Sequence, residues 1–521
     1  MSHVASGRAA GWTLFAALLL AYGWFHQGGG WNQNVRFAQV RALAHDRTFA
    51  VDDQLLYTLA TDATGRTAHR RLRLSDPATR STRLPRAVSL DLSEHAGHFY
   101  PNKPPGLSLL ALPGYLLQRP FTGGDDGDTD GWSLTLALYW TGLLSVGLLS
   151  ALGGVAFFDV AGRWFPGASM RARGLASLAY ALGTPVFAYA TFLIDHAVVA
   201  SLSLFALRSL LVARDAPRAG PLFAAGSFAG LAVVVNHSAA LTALGLGAYA
   251  LALPDLRRRV GAYVLGGVAP ALFLAVYQQL CFGSPFALPQ HHQLGLFQSA
   301  APVLGVFGAP RPELLPRLLF IPYRGLFFWS PVLAVGALAA LSLLRDATHR
   351  REALLCLGLF LAFLLMNASF NAWHGGGTFG PRYLVPAIPF LALPLVRAFE
   401  RTPRTAGALA ALSVASALLV TAVSPQLDAA IHRPLTGFYL PLWRGEAVES
   451  GGFPQHGPVS AHPTGFVGDG IQARAGVGTP QHWSSFNLGE ALFPESRWSL
   501  APLGLLLAGV GWLGLRRRPA G

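Results

Sequence analysis

The sequence predicts an all-α membrane protein that crosses the bilayer many times. Hydrophobic residues make up 52% of the 521 residues, charged residues only 12%, and the mean hydropathy is +0.41. Many apolar runs approach the roughly 20 residues that an α-helix needs to span a bilayer. This composition excludes the soluble fold classes.

Eleven apolar segments give the expected helices in order, for a total of about 11–13 transmembrane helices. The segments run roughly over 11–26, 132–159, 174–193, 197–213, 220–254, 260–281, 326–344, 352–370, 384–397, 405–423 and 499–515. The first follows Arg8 without a small-residue cleavage site, so we expect a retained helix rather than a signal peptide. A further stretch, 106–117, is too short to span comfortably. Whether it is a half-membrane helix or a crossing that changes the count by one stays open.

Short arginine-rich loops predict the orientation, because cytoplasmic loops carry an excess of basic residues. Placing these loops in the cytoplasm gives a coherent alternation with both chain ends inside, provided that 220–254 is a pair of short helices meeting near Asn236 and His237. The arginines of these loops account for the net charge of +14, so we expect no nucleic-acid partner. They contain Arg163/Arg171/Arg173, Arg214/Arg218, Arg257 to Arg259, Arg345/Arg350/Arg351, Arg397/Arg401/Arg404 and Arg516 to Arg518.

Four longer segments then lie on the outer face and hold most of the unusual residues. We expect residues 1–423 to form the transmembrane module, with a long first outer loop that carries juxtamembrane helices. Residues 424–498 are rich in Gly, Pro and His and are expected to form a loop or small cap. Residues 499–521 are expected to form the last transmembrane helix and a basic cytoplasmic tail. The four outer segments are 27–105, 282–325, 371–383 and 424–498.

Lys103 is the only lysine among the 39 basic residues. It lies in the run from His98 to Gly106, where Pro104 and Pro105 favour an extended approach and Gly106 a helix start. This placement would hold the ammonium at the outer membrane surface, at the depth of a lipid phosphate. Lysine is a compact point charge that arginine does not replace at a phosphate or catalytic site. Chance in an arginine-favouring composition is the alternative explanation.

The first outer loop supplies most of the polar residues expected at the bilayer edge, where such residues usually face a cavity. They lie in 31–37, at Asp52 and Asp53, and in 91–100. Together these features resemble the type C (GT-C) glycosyltransferases, which include protein O-mannosyltransferases and the lipid A aminoarabinose transferase. The shared features are an N-terminal helix, a long outer loop beginning with an Arg-aromatic pair, and a tyrosine-rich Lys-Pro-Pro element that opens the next helix.

Four later elements resemble a bacterial branch of the same superfamily, so the resemblance covers most of the chain. Each motif is weak alone, and their order and placement on the outer face carry the signal. The elements are Gly183-Thr184-Pro185 through Asp195-His196, Cys281 to Phe286, Arg324 to Phe328, and Trp373 to Gly377 with Gly380 to Tyr383.

The resemblance implies an inverting glycosyltransferase in the bacterial cytoplasmic membrane, with its active site on the outer face. It implies transfer of a sugar from a polyprenyl-phosphate carrier to a glycan, lipid or protein acceptor, with membrane lipids as further partners. It also implies that Lys103 and Arg36 contact the donor phosphate and that a loop carboxylate is the general base. Further substrate contacts are expected from His98, Tyr100, His196, Arg382 and Tyr383.

The chain departs from the family pattern at the carboxylate. Better-known members carry an acidic residue two or three positions before the arginine, where this chain has Gln33 and Asn34. The family pattern has a second acidic residue next to the lysine, and this chain has Asn102 there, beside Lys103. A degenerate, non-catalytic member is therefore one alternative.

Asp91 is our first choice for the base, because it precedes a Gly-His-aromatic-Tyr element. Asp52 or Asp53 is the second choice. A carboxylate can take the proton that the acceptor hydroxyl loses, and burial can raise its pKa toward the working range. A helix N-cap or a solvated loop carboxylate is the structural alternative for Asp91.

No obligate cofactor is predicted, and a divalent metal stays open. Asp195 and His196 alone lack a full ligand set, and Cys281 and Cys356 are expected to be core thiols. A transporter or lipid flippase is the competing class, since polar pairs inside the membrane can mark a translocation path. Against it, the two halves of the chain show no internal similarity.

Overall fold

The computed structural model describes residues 2–61, 67–72, 87–122, 131–295, 299, 301–303, 305–450, 453–456, 485–494 and 496–516. Within them the chain is helical, as the sequence predicts. The helices are α1 Ser2–Gly23, α2 Trp31–Arg41, α3 Gly106–Thr122, α4 Gly131–Gly142, α5 Leu148–Trp164, α6 Met170–Leu182, α7 Pro185–Tyr189, α8 His196–Asp215, α9 Ala219–Val235, α10 Ala240–Ala252, α11 Pro254–Arg257, α12 Val260–Phe282, α13 Leu314–Leu319, α14 Leu326–Trp329, α15 Val332–Leu343, α16 Arg350–Ser369, α17 Ile388–Ala392, α18 Leu395–Arg401, α19 Pro403–Val423, α20 Leu440–Arg444 and α21 Ala501–Arg516.

Strands are short and occur only as antiparallel pairs in the described part of the chain. The first strand pairs with the last, which brings residues 25–26 beside 486–487. The pairs are β1 Phe25–His26 with β8 Phe486–Asn487, β2 Leu56–Thr61 with β3 Thr67–Leu72, β4 Leu92–His95 with β5 His98–Pro101, and β6 Ala447–Ser450 with β7 Phe453–His456.

Five of the described helices are long and apolar enough to cross a bilayer, and the bent pair 382–392 and 395–401 would make a sixth. The long ones are Ser133–Trp164, which joins α4 and α5 through a π-helical segment, and α8, α12, α16 and α19. Shorter apolar helices include α9 and α15. The all-α polytopic class is therefore confirmed, while the exact number of crossings stays a prediction.

Three helices connect two chemically different ends of the molecule. α8, α16 and α19 each contain 20 or 21 residues, and at about 1.5 Å per residue they are about 30 Å long, the thickness of a bilayer core. Arg214 at the end of α8 contacts Glu352 at the start of α16 at 2.9 Å. One end therefore gathers arginine-rich loops, and the other holds His196 and Ser369.

The chain breaks near Asn236, as the sequence predicts. α9 ends at Val235, a single 3-10 turn follows at His237–Ala239, and α10 begins at Ala240. The Asn236 side chain accepts hydrogen bonds from the Ser238 backbone N–H and hydroxyl, at 3.0 and 2.8 Å, which stabilises the new turn. This break exposes backbone and polar side chains beside the start of α8.

α3 lies close against this break. A Cβ at Gly106 would stand 2.5 Å from the backbone carbon and oxygen of Val234, so only glycine fits where α3 begins. The predicted short helix after Lys103 is thus present, and it extends to Thr122 with Pro113 and Pro120 inside it. Part of the predicted cap at 424–498, namely 451–452, 457–484 and 495, lies outside the described residues.

Candidate active site

A buried ion pair joins the first outer loop to the transmembrane helices. Arg36 on α2 donates from Nη2 to Oδ2 of Asp195, immediately before α8, at 2.6 Å. The two side chains are 1% and 2% exposed. Asn236 donates to the same carboxylate oxygen at 2.8 Å, and Asn32 accepts from Arg36 Nε at 2.9 Å. Burial alone would raise the pKa of Asp195, but Arg36 and His196 outweigh it and hold this pKa at about 2.

The β4–β5 hairpin brings Asp91 to Lys103. Its two-residue turn at Ala96 and Gly97 has φ values of 48° and 85°, the positive pair that a type I′ turn requires. At the open end the Asn102 N–H donates to the Asp91 carbonyl at 3.0 Å. Lys103 Nζ then lies 3.4 Å from Asp91 Oδ2 and donates to Asn102 Oδ1 at 2.7 Å. Asp91 and Lys103 are twelve positions apart in the sequence, and the pairing of β4 with β5 brings them together.

The environment of Lys103 disfavours the charged ammonium form of its side chain. Burial lowers the pKa of this group; Asp91 opposes the shift, while Arg382 and Arg36 add to it. Two guanidinium groups and an ammonium thus share one region with two carboxylates, Asp91 and Asp195, which leaves one positive charge in excess. Such an excess of positive charge suits an anionic ligand.

Lys103 lies on the boundary of two cavities of about 550 and 530 Å³. The first, which we call the outer cavity, contains Asp91 and His374 along with further polar groups. The second, the inner cavity, reaches the Asp195–His196 pair and continues along apolar side chains. These apolar residues are Leu241, Val303, Phe307 and Met366. The wall shared by both cavities contains Asn32, Asn102, Lys103, Gln293, Val306, Phe370, Arg382 and Tyr383.

Arg382 and Tyr383 also line this boundary, and they come from a different part of the chain than the β4–β5 hairpin. Arg382 Nη2 donates to the Tyr383 hydroxyl at 2.8 Å, and its guanidinium lies 4.8 Å from the Tyr383 ring centre. Gly375 has a φ of 77°, and a Cβ there would stand 3.0 Å from Arg382 Cγ. Among the described residues, Arg382 Nε and Arg36 Nη1 are buried donors without a hydrogen-bond acceptor. Arg382 lines both cavities and can donate to an oxyanion there, whereas Arg36 is not among the described residues that line either one.

His196 lies at the start of α8 on the inner cavity. Its ring packs edge-on against those of Tyr189 and Tyr383, with centroids 5.6 and 5.9 Å away. His196 Nδ1 is 3.6 Å from Asp195 Oδ1. Both residues of the Asp195-His196 motif therefore line the inner cavity, and Asp195 also binds Arg36.

Three predicted contact residues, Arg36, His98 and Tyr100, are absent from the described lining of both cavities. His98 Nδ1 lies 2.8 Å from Asp52 Oδ2, and its side chain is 59% exposed. The Tyr100 ring packs 5.3 Å from that of Phe282, and burial raises its pKa to about 12. The Asp52 carboxylate also accepts from the Phe99 N–H at 2.8 Å, so it fastens the hairpin to the loop.

Gln33 and Asn34, at the positions where the family carries acids, make structural hydrogen bonds. Gln33 Nε2 donates to the carbonyls of Gln27 and Gly29 at 2.7 and 3.1 Å. Asn34 Nδ2 donates to the Val88 carbonyl at 2.8 Å. A carboxylate has no donor for these carbonyls, so the amides are required by the local fold.

Several wall residues were not identified from the sequence. Asn32 precedes Arg36 by four positions on one helix, a spacing that places both on one face and could have indicated their contact. Gln293 and Asp428 come from loops without periodicity, and only the folded chain places them at the cavities.

Metal ligands do not gather in the described residues, where no three His, Cys, Asp or Glu side chains converge on one point. His374 lines the outer cavity, whereas His291 and His292 are not among the described residues that line either cavity. Cys281 and Cys356 are buried free thiols.

Comparison with known proteins gives structural matches alone: no family model and no curated protein matches the chain. ArnT from Cupriavidus metallidurans bound to undecaprenyl phosphate is 18% identical, with a TM-score of 0.44, over 78% of this chain and 61% of that one. The archaeal oligosaccharyltransferase AglB from Archaeoglobus fulgidus, in complex with an inhibitory peptide and a dolichol-phosphate, is 13% identical, with a TM-score of 0.43, over 81% of this chain and 55% of that one.

Both matched proteins are members of the GT-C superfamily that the sequence resembles. The chain spans little more than half the length of either matched protein.

Proposed function

We propose that this chain is an inverting glycosyltransferase that takes its sugar from a polyprenyl-phosphate carrier. The observation that carries the proposal is the position of Lys103, an ammonium 3.4 Å from the Asp91 carboxylate on the boundary between a polar and a largely apolar cavity. A lipid-linked sugar phosphate has the matching order of parts: an apolar tail, an anion and a polar sugar.

The anion fits the shared wall. Lys103 and Arg382 would bind the donor phosphate there, and Arg36, outside the cavity lining, would add positive charge nearby. Guanidinium and ammonium groups form the strongest hydrogen bonds to phosphate oxygens. The lipid would follow the inner cavity past Leu241 and Met366, and the sugar and acceptor would occupy the outer cavity.

Asp91 is the carboxylate that this geometry offers as the base. It would accept the proton of the acceptor hydroxyl while that oxygen bonds to the anomeric carbon. The bond from this carbon to the phosphate oxygen breaks in the same step, and the electron pair goes to the leaving phosphate. Lys103 and Arg382 would stabilise the charge that develops there. Donor binding would draw Lys103 toward the phosphate and release Asp91 from their ion pair.

The orientation follows from the two ends of the molecule. The site lies at the His196 end of α8, whereas Arg163 and Arg214 lie at its Asp215 end. Since arginine-rich loops face the cytoplasm, the proposed site faces the outer side of the bacterial cytoplasmic membrane. The acceptor would then be a glycan, lipid or protein in the cell envelope.

Turnover with isolated donors tests the proposal. The protein is purified in detergent and supplied with undecaprenyl- and dolichol-phosphate sugars, with and without EDTA, and release or transfer of the sugar is measured. Asp91→Asn and Lys103→Arg are expected to lose at least 100-fold in kcat, since one charge-stabilising group is worth roughly that much. His98→Ala, away from both cavities, is the matched control and should retain activity. Absence of turnover in the unaltered protein would favour a transporter or a non-catalytic member.

A further inference from the structure

A third cavity, which shares no lining residue with the outer and inner cavities, has the features of a lipid-binding groove. It encloses about 860 Å³ between α1, α5, α6, α8 and α9. Its deep part is lined by apolar side chains, including Phe15, Leu152, Phe205 and Phe228. Its shallow part lies at the arginine-rich end of the molecule. We call this region the basic groove.

The polar end of the basic groove carries an excess of positive charge. Four arginines line it against one carboxylate, that of Asp159. Asp159 Oδ2 already contacts Arg163 Nε at 3.1 Å and Arg208 Nε at 2.7 Å. The other two arginines, Arg8 and Arg173, make no salt bridge within the described part of the chain, although Asp159 also attracts Arg173.

Arg173 is held in place for a further interaction. Its guanidinium lies 4.4 Å over the Phe158 ring, and Nη2 donates to the Phe158 carbonyl at 3.3 Å. Its Nε is buried and lacks an acceptor among the described residues. A Cβ at Gly162 would stand 2.3 Å from Arg173 Nη2, so this glycine makes room for the guanidinium.

The length of the groove matches one leaflet of a bilayer. Leu152 and Arg163 both lie on α5 and both line the groove, eleven residues apart. At about 1.5 Å per residue this separation is roughly 16 Å, or half of a bilayer core about 30 Å thick. A molecule that lies in the groove therefore has its anionic end at the membrane surface and its apolar part at the depth of lipid chains.

We propose that the basic groove binds one anionic glycerophospholipid of the bilayer. The phosphate lies against Arg8 and Arg173, and one acyl chain follows Phe15 and Leu152 inward. Basic pockets between transmembrane helices near the cytoplasmic surface are suited to anionic lipid headgroups. The site is separate from the proposed catalytic cavities, because no lining residue is common to them and the groove.

Lipid titration tests this site in the full chain. Dioctanoyl phosphatidylglycerol, dioctanoyl phosphatidylcholine and glycerol phosphate are added to the detergent-purified protein, and the thermal melt gives each affinity. The unaltered protein is expected to bind phosphatidylglycerol at least tenfold more tightly than either other ligand. Equal affinity for phosphatidylcholine would overturn the charge complementarity, and equal affinity for glycerol phosphate would overturn the role of the apolar part.

Three variants locate the binding. Arg173→Ala is expected to abolish the preference for phosphatidylglycerol over phosphatidylcholine. Arg171 is an exposed arginine two positions away and outside the groove, so Arg171→Ala should keep this preference. Gly162→Ala leaves the net charge unchanged and displaces the flexible end of Arg173, so it should also reduce the preference. If Arg171→Ala reduces it as much as Arg173→Ala does, the effect is one of general surface charge and the proposed site is wrong. Should Arg173→Ala fail to fold, Gly162→Ala and Arg8→Ala decide the question.

Discussion

Removal of the Asp195 carboxylate tests how the first loop is attached to the helices. In Asp195→Ala, Arg36 stays buried at 1% exposure without its counter-ion, and the Asn236 amide loses its acceptor. Breaking a buried ion pair from one side costs about 3–5 kcal/mol. Two hydrogen bonds to a charged group, at about 1.5–3 kcal/mol each, give a similar sum. We therefore expect unfolding to become easier by about 4 kcal/mol.

An exposed pair gives the matched comparison. Asp215 contacts Arg163 and Arg214 at 2.8 and 3.0 Å, and its side chain is 40% exposed. Exposed pairs contribute at most about 1 kcal/mol, so Asp215→Ala should cost far less than Asp195→Ala. The assay is the free energy of unfolding in mixed micelles at pH 7. Equal losses in the two variants would refute the idea that the buried pair attaches the loop.

The same pair predicts a pH dependence. The folded pKa of Asp195 is about 2, below its ordinary value of 3.8. A depressed carboxyl pKa gives stability that is present above the unfolded pKa and is lost as the pH falls toward the folded one. The contribution should therefore be constant from pH 5 to 8 and decline between about pH 4 and pH 2. A decline already at pH 6 would contradict this assignment.

Three further predictions follow from individual contacts. Because the pKa of Lys103 is lowered from 10.5, kcat/KM should fall with rising pH at a midpoint below 10.5, and this alkaline limb should be absent from any residual activity of Lys103→Arg. Asp52→Asn should change kcat less than tenfold in the sugar-transfer assay, because Asp52 lies outside both cavities, and a loss as large as that of Asp91→Asn would make it the base. Gly106→Ala should lower the melting temperature, since its Cβ would meet the Val234 backbone at 2.5 Å, and an unchanged melt would show that α3 can shift.

The all-α class and the ends of some helices could be predicted from local sequence alone. A polar Asn236 within an apolar run indicated a break, and the structure ends α9 one residue earlier. Pro104 and Pro105 followed by Gly106 indicated a helix start, and α3 begins at Gly106. Such features depend on backbone constraints of neighbouring residues, which a sequence states directly.

The site was only partly predictable, because its contacts depend on register and on distant segments. Asp91 and Lys103 meet through the closure of one hairpin, whereas His98 lies near its turn and contacts Asp52 instead. The partner of Arg36 is Asp195, 159 positions away, and no local pattern joins them. Long-range pairing of this kind is decided by how helices pack, not by spacing along the chain.

The most direct test of the account is sugar transfer from a polyprenyl-phosphate donor by the unaltered protein and by Asp91→Asn and Lys103→Arg, each with a thermal melt to verify folding. We expect turnover by the unaltered protein and a loss of at least about 100-fold in both variants at an unchanged melting temperature. Variants as active as the unaltered protein, with folding intact, would contradict the assignment of Asp91 as base and Lys103 as the phosphate ligand.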